Sequence, residues 1–225
     1  DASFGGRSLK FQRAYSSYVM ENVLFMISFP AEFHAQTAVE AAIRLHPFVR
    51  ERWNEIVRVV ITTQESAIRI IDKTGPLHNP ADRDHCIQYM TAIGLLKGTL
   101  TAEDYEDEAA ADPRIDALRA KMTCVEELRY TREYLDPEIR SIANAVQVFF
   151  ANGSHTERVE VEFPIGHRRR RAEGSASLED KFVRHLSHRL SGTRVDEILT
   201  VCRDPRRLEA MAVPEFVELF TVGTD

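Results

Sequence analysis

The sequence is poor in the residues and motifs on which many enzyme classes depend. Its three cysteines, Cys86, Cys124 and Cys202, are odd in number and far apart, so they form neither a disulfide framework nor a metal-binding pattern. Their small number fits a reducing compartment. A glycine-rich phosphate loop, a nucleophile elbow, a zinc signature and a dinucleotide fingerprint are all lacking. We therefore predict no cofactor and no metal site.

Long apolar runs are lacking too. No stretch approaches the length that a membrane span requires, and we recognise no signal peptide, so no membrane partner is expected. The net charge of −6 argues against general nucleic-acid binding, and an acidic substrate would need positive charge gathered locally. Arg168–Arg171 is one basic run in an acidic protein. This run leaves nucleic-acid binding as a weaker alternative. The favoured interpretation is a loop in which one or two arginines bind an anion or contact an interface.

The apolar pattern predicts a mixture of helices and strands. The 225 residues are 44% hydrophobic, which is enough for a proper core. Residues 57–63 predict a strand, and the segment 144–150, Asn152-Gly153 and 156–163 predicts a hairpin with a tight turn. Residues 35–46 predict a helix, whereas residues 65–72 fit helix or strand. The remaining predictions are a strand over 18–29, a capping-box start at Thr101, and a helix from Asp112-Pro113 through Met122.

We predict an α+β fold with three parts. Residues 1–16 read as a connector with little periodicity. Residues 17–170 form a small α+β domain with an antiparallel hairpin and buried helices. Residues 171–225 are helical and too few to hold a core alone, so they are expected to dock on another unit, a partner subunit or a missing segment.

The chain is organised around residues 73–98, where a polar loop leads into a buried helix. Asn79 and Pro80 are good residues for a helix start, and Gly98 is expected to close the apolar helix. Asp82 and Asp84 fall where carboxylates suit the helix dipole, so a purely structural role explains either one alone. It does not explain the cations and histidines beside them, and we predict that His78, Arg83 and His85 converge on one spot.

Two further clusters lie beside structural breaks. Glu32 and His34 follow Pro30 just before a predicted helix, where a capped helix with a partly buried histidine is the simpler interpretation. His167 and Arg168 follow Gly166 after a strand. Together the clusters supply His, Asp, Glu, Arg and Lys. This set suits proton abstraction and elimination on a polycarboxylate, in which Arg and Lys hold carboxylates while a base and an acid move protons.

Long segments of the chain resemble one known family. Residues 18–25, 27–42, 79–90 and 164–170, together with Arg114–Arg119, are similar to the 2-methylcitrate dehydratases of the MmgE/PrpD family, and the resemblance extends over nearly all of the chain. It implies a cofactor-independent hydro-lyase that converts 2-methylcitrate to 2-methyl-cis-aconitate in the methylcitrate cycle of propionate catabolism. cis-Aconitate decarboxylase is a more distant relative, and a decarboxylase-like lyase is one alternative.

The resemblance also implies an organisation. Family members have a large all-helical domain and a smaller α+β domain, usually as dimers, with the site between them. The chain would then be the C-terminal half: the small domain plus the closing helices, which belong to the helical domain. The expected partners are a small tricarboxylate, the missing N-terminal half and a second copy of the protein. The expected location is the cytoplasm, or the mitochondrion in a eukaryote.

Site residues are carried over from the family position by position. The catalytic residues implied are Glu32, His34, Asp82 and His85, with His85 or Asp82 as base or acid. The substrate-binding residues implied are Lys73, His78, Arg83, His167 and Arg168. Family members carry a lysine where this chain has Met26, so that position is not carried over. Its loss supports the alternative of a catalytically impaired or non-catalytic scaffold of the same fold.

Overall fold

The computed structural model describes residues 5–6 and 27–221, and these form an α+β structure. The strands are β1 Ile56–Thr63, β2 Met122–Glu126, β3 Asn144–Phe150 and β4 Val159–Val161. The helices are α1 Gln36–Val49, α2 Glu65–Ile71, α3 Pro80–Asp84, α4 Ile87–Lys97, α5 Asp107–Ala110, α6 Pro113–Arg119, α7 Leu128–Leu135, α8 Arg171–Ser187, α9 Gly192–Cys202, α10 Pro205–Ala210 and α11 Val213–Glu218. The predicted fold class is confirmed.

The four strands form one mixed sheet in the order β2-β1-β3-β4. β1 runs parallel to β2 and antiparallel to β3, which is antiparallel to β4. At the centre Ile61 lies between Cys124 and Val146. Because side chains alternate along a strand, β1 buries Val59 and Ile61 while Arg58 is exposed. α1 packs against β3 and β4, and α4 packs against α1.

The contact between α1 and α4 is unusually close, because small residues line it. α1 buries Ala38, Ala41 and Ala42, and α4 is buried along nearly all of its length. A Cβ atom placed on Gly94 of α4 would lie 2.9 Å from the Cβ of Ala42 and 3.4 Å from the carbonyl oxygen of Val39. The glycine therefore sets the distance between the two central helices.

Several predicted helix boundaries are confirmed. The side chain of Asn79 accepts a hydrogen bond from the Asp82 N–H at 2.9 Å, and Pro80 is the first residue of α3. Gly98 ends α4 in the left-handed conformation, with φ +71°. Thr101 and Asp104 form the predicted capping box, and residues 65–71 are helical.

Other predictions were wrong in part. The helix that begins at Pro113 ends at Arg119, and Met122 begins β2. The β-branched residues after it pair with β1, a long-range contact that overrides the helical pattern. The β3–β4 hairpin forms, but of the Asn-Gly pair only Gly153 has a positive φ, at +81°. The Gly153 N–H donates to the Phe150 carbonyl at 3.0 Å.

The last helices build a second apolar cluster. Ile198, Val201 and Leu219 are buried in it. Arg170, just before α8, donates to Glu40 of α1 at 2.9 Å and to the Phe163 carbonyl at 2.6 Å, which ties this end of α8 to the sheet domain.

Some sequence predictions cannot be compared with the structure. The predicted connector apart from residues 5–6, and residues 18–26 of the predicted first strand, including Met26, lie outside the described residues; residues 27–29 are not in a strand. Among the described helices, none has the length and apolar character that crossing a membrane requires.

Gly94→Ala should destabilise the protein. The added methyl group overlaps the Cβ atom of Ala42 and touches the α1 backbone, and overpacking of this kind costs about 1–3 kcal/mol. Denaturant unfolding of the full-length protein measures the loss. Gly192→Ala is the matched control, because a Cβ atom there meets nothing within 4 Å. Equal stabilities of the two variants would contradict the close α1–α4 contact.

Candidate active site

An open cleft of about 630 Å³ lies between three loops of the sheet domain. One wall is the turn before α1, the second is the start and end of α3, and the third is the 3₁₀ turn Ala102–Tyr105 with Glu106. Both charged and aromatic side chains line it, chiefly Glu32, Phe33, Asp84, Tyr105 and Glu106. A concave surface with a few convergent polar groups is the usual setting of a small-molecule site.

Glu32 and His34 form the most organised polar pair at the cleft. The Glu32 carboxylate accepts hydrogen bonds from His34 Nδ1 at 2.7 Å and from the His34 backbone N–H at 2.8 Å. A carboxylate only accepts, so the hydrogen of this bond sits on Nδ1. His34 Nε2 lies 3.1 Å from the Tyr134 hydroxyl of α7. The ring is thus oriented from both sides, as in many acid–base histidines.

Buried amides hold this turn in place. Gln36 Nε2 donates to the carbonyls of Phe29 at 2.9 Å and Ala31 at 2.8 Å. Asn144 Nδ2, at the start of β3, donates to the His34 carbonyl at 2.8 Å. The bonds to the Ala31 and His34 carbonyls are buried, and the bond to the Phe29 carbonyl is partly buried; a buried carbonyl without a partner would be costly. The pair of Glu32 and His34 therefore has a fixed place relative to the sheet.

Asp84, the last residue of α3, lies beside Glu32 in the cleft. Burial is the main cause that raises the pKa of Asp84, and the negative charge of Glu32 adds to it, whereas the charge of His85 and the Glu32 backbone N–H act in the opposite direction. Tyr105 adjoins it from the interior: its side chain is 6% exposed, and its hydroxyl has no hydrogen-bond partner within the described residues.

Asp82, Lys73 and His78 form a surface group at the start of α3. The Asp82 carboxylate accepts from the His78 backbone N–H at 3.2 Å and lies 3.5 Å from Lys73 Nζ. The His78 N–H and then the Lys73 charge lower the pKa of Asp82. Its neighbours Pro80 and Ala81 line the cleft. The structure thus brings three predicted residues together, beside the cleft wall.

Arg83 and His85 do not converge with His78 as the sequence predicted. Arg83 is buried and donates to the Tyr105 carbonyl and to Asp107, each at 2.6 Å. His85 is exposed, with Nδ1 3.2 Å from the Ala81 carbonyl of its own helix. The reason is helical geometry: successive residues of α3 point to different sides.

His167 and Arg168 belong to a separate part of the domain. His167 is 1% exposed, its ring centroid lies 4.6 Å from that of Phe163, and it accepts from the Arg169 N–H at 3.2 Å. Burial, together with the charges of Arg168 and Arg169, lowers its pKa. Arg168 donates to the Glu138 and Pro137 carbonyls. These contacts support the loop 136–140 after α7, the helix that also carries Tyr134.

Three cleft-side residues were missed as site residues from the sequence. Asp84 was seen only as a helix-start carboxylate, and Tyr105 and Tyr134 carried no local signal because their partners are distant in the chain. The sequence signal that could have identified Asp84 as a site residue is its position two residues after Asp82. Within residues 5–6 and 27–221, no group of three or more His, Cys, Asp and Glu side chains is placed to hold a metal ion.

Comparison with known proteins identifies the family. The profile of the MmgE/PrpD C-terminal domain matches residues 29–204. The chain is 55% identical to the 2-methylcitrate dehydratase of Escherichia coli (strain K12) over 225 residues, which are 99% of this chain and 47% of that protein. For the 2-methylcitrate dehydratase of Cupriavidus necator the identity is 53%, with coverages of 99% and 46%. The mitochondrial 2-methylcitrate dehydratase of Yarrowia lipolytica is 53% identical, with coverages of 98% and 42%.

This α+β chain, with its cleft beside the turn before α1, therefore belongs to the MmgE/PrpD family and carries that family's C-terminal domain. It spans slightly less than half the length of the curated relatives that it matches.

His167→Gln should weaken the dependence of stability on pH. Because the folded state lowers the pKa of His167, the unfolded chain binds the proton more readily, and the wild type loses stability as the pH falls through the unfolded value of about 6.5. Denaturant unfolding at about pH 7.5 and about pH 5.5 should show a smaller loss for the variant. His155→Gln, on the exposed hairpin, is the control; equal losses in all three proteins would contradict a buried neutral His167.

Proposed function

We propose that the protein to which this chain belongs is a hydro-lyase that removes water from 2-methylcitrate to give 2-methyl-cis-aconitate. The observation that carries the proposal is the 53–55% identity, along nearly the whole chain, to relatives named 2-methylcitrate dehydratase. The cleft supports it, because elimination of water needs a base for a C–H proton and an acid for the departing hydroxyl group.

Glu32 and His34 are our candidates for the base side of this reaction. Glu32 lines the cleft, and His34 joins it at 2.7 Å. Either group would take a proton from the carbon next to a substrate carboxylate, while the other stabilises the charge that results. The 3.1 Å contact between His34 and Tyr134 fixes the ring in the required orientation.

The substrate carboxylates require cations, and we retain the predicted ones as candidates. Lys73 and His78 lie next to the part of α3 that lines the cleft. Arg83 is committed to Tyr105 and Asp107, so we propose that it holds the cleft wall rather than the substrate. His167 and Arg168 would act by supporting the loop that follows Tyr134.

The finer features of the assignment are proposals as well. We place the reaction in propionate catabolism, without a cofactor, in the cytoplasm or in the mitochondrion of a eukaryote. Residues 1–16 would connect to an N-terminal helical domain, residues 17–170 would form the small domain, and α8–α11 would pack on the helical domain. The protein would act as a homodimer, with the site completed by the N-terminal half.

His34→Asn should lower kcat for 2-methylcitrate dehydration by about 10²–10⁴-fold, because asparagine keeps a polar side chain but cannot accept the proton. The assay follows absorbance of the unsaturated product with the full-length protein. His85→Asn tests the competing assignment, in which His85 is the base. His155→Asn, in the β3–β4 hairpin, is the control. A larger loss with His85→Asn than with His34→Asn, in folded proteins, would move the base to the exposed end of α3.

The same assay separates the enzyme from a scaffold of the same fold. Activity of the wild-type protein, with Met26 in place, supports the hydro-lyase. Activity only after Met26→Lys would mean that the chemistry has been lost from an intact fold. No activity with either residue, in a folded protein, would leave the non-catalytic scaffold or a different lyase, such as a decarboxylase of the cis-aconitate type.

A further inference from the structure

Asp84 occupies the position in the cleft that faces the Glu32–His34 pair. It lies at the C-terminal end of α3 and lines the cleft together with Glu32 and Tyr105. The backbone and the charge of Glu32 both affect the pKa of Asp84, and both residues line the same cleft from different elements. Its side chain is 35% exposed, which leaves an oxygen accessible to a ligand.

We propose that Asp84 is the catalytic acid that protonates the hydroxyl group leaving the substrate, and that Tyr105 positions it. The inference rests on the proposed hydro-lyase function and assigns its second proton transfer. The C–H proton goes to the Glu32–His34 pair, and its electron pair forms the double bond. The C–O bond breaks, the departing oxygen takes the proton from Asp84, and water leaves. Asp84 then holds the negative charge until it takes a proton from solvent.

The surroundings of Asp84 raise its pKa, which is the direction that a general acid requires. Burial and the nearby negative charge of Glu32 raise its pKa, whereas the charge of His85, the Glu32 N–H and the Tyr105 hydroxyl lower it. Glu106 is the other ionisable group that lines this cleft. The net effect is a raised pKa, the same direction of shift as in other carboxyl groups that act as general acids. Asp82, two residues earlier, has the opposite shift.

Tyr105 approaches Asp84 from the protein interior. Its hydroxyl is fully buried and has no hydrogen-bond partner among the described residues, and Asp84 is the charged group that acts on it most strongly. Buried hydroxyl groups without a partner are rare in native proteins. The Tyr105 hydroxyl would orient one oxygen of the Asp84 carboxylate and leave the other oxygen for the substrate.

The test measures the pH profile of kcat in the full-length protein for Asp84→Asn and Tyr105→Phe. Asp84→Asn should lower kcat by about 10²-fold or more and should remove the loss of activity at alkaline pH that reports ionisation of the acid. Tyr105→Phe removes a hydroxyl that lowers the pKa of Asp84, so its alkaline limb should move to higher pH. Glu108→Gln, an exposed carboxylate of α5 outside the cleft lining, is the control.

The outcomes separate this inference from the proposed function. An active wild type in which folded Asp84→Asn keeps kcat within about threefold, or in which Tyr105→Phe leaves the alkaline limb in place, would overturn the role of Asp84 and leave the hydro-lyase intact. A folded but inactive wild type would overturn both. Thermal unfolding of each variant shows whether it is folded. If Asp84→Asn does not fold, the pH profile of Tyr105→Phe, which keeps the ring, tests the role of Asp84.

Discussion

The turn between Phe29 and Ala35 carries the candidate site, and it depends on buried hydrogen bonds from distant residues. Gln36 and Asn144 supply the donors for its buried and partly buried carbonyls. Asn144 also donates to Thr37 at 2.7 Å, and Thr37 in turn donates to the Ile142 carbonyl. One network therefore joins the turn, α1 and β3. Each buried partner left unpaired would cost about 1–3 kcal/mol, which makes the geometry of Glu32 and His34 a property of the whole domain.

The sequence was most informative where structure is decided locally. Asn79 and Pro80 begin α3, Gly98 closes α4, and Thr101 caps the next turn, because each rule needs only neighbouring backbone groups. The alternation of apolar residues identified β1 and the hairpin in the same way. The family resemblance, given by long segments that include residues 27–42, is confirmed by the match over residues 29–204.

The sequence was least informative where a side chain has a choice of distant partners. The series Asp82, Arg83, Asp84 and His85 offers four ionisable groups, but nothing local says that Arg83 reaches Tyr105 and Asp107 or that Asp84 faces the cleft. The five-residue helix α3 turns these four side chains in different directions. β2 was missed for a related reason, since Met122–Glu126 becomes a strand only by pairing with β1.

The central claim is that the cleft between the turn before α1, the helix α3 and the turn Ala102–Tyr105 binds a tricarboxylate. The most direct measurement is a crystal structure of the full-length protein with propane-1,2,3-tricarboxylate, which has the substrate's carboxylates but no hydroxyl group to lose. The account predicts that the ligand lies in this cleft, with its carbon chain between Glu32 and Asp84. A tricarboxylate bound elsewhere, with the cleft empty and Glu32 and Asp84 facing only solvent, would contradict it.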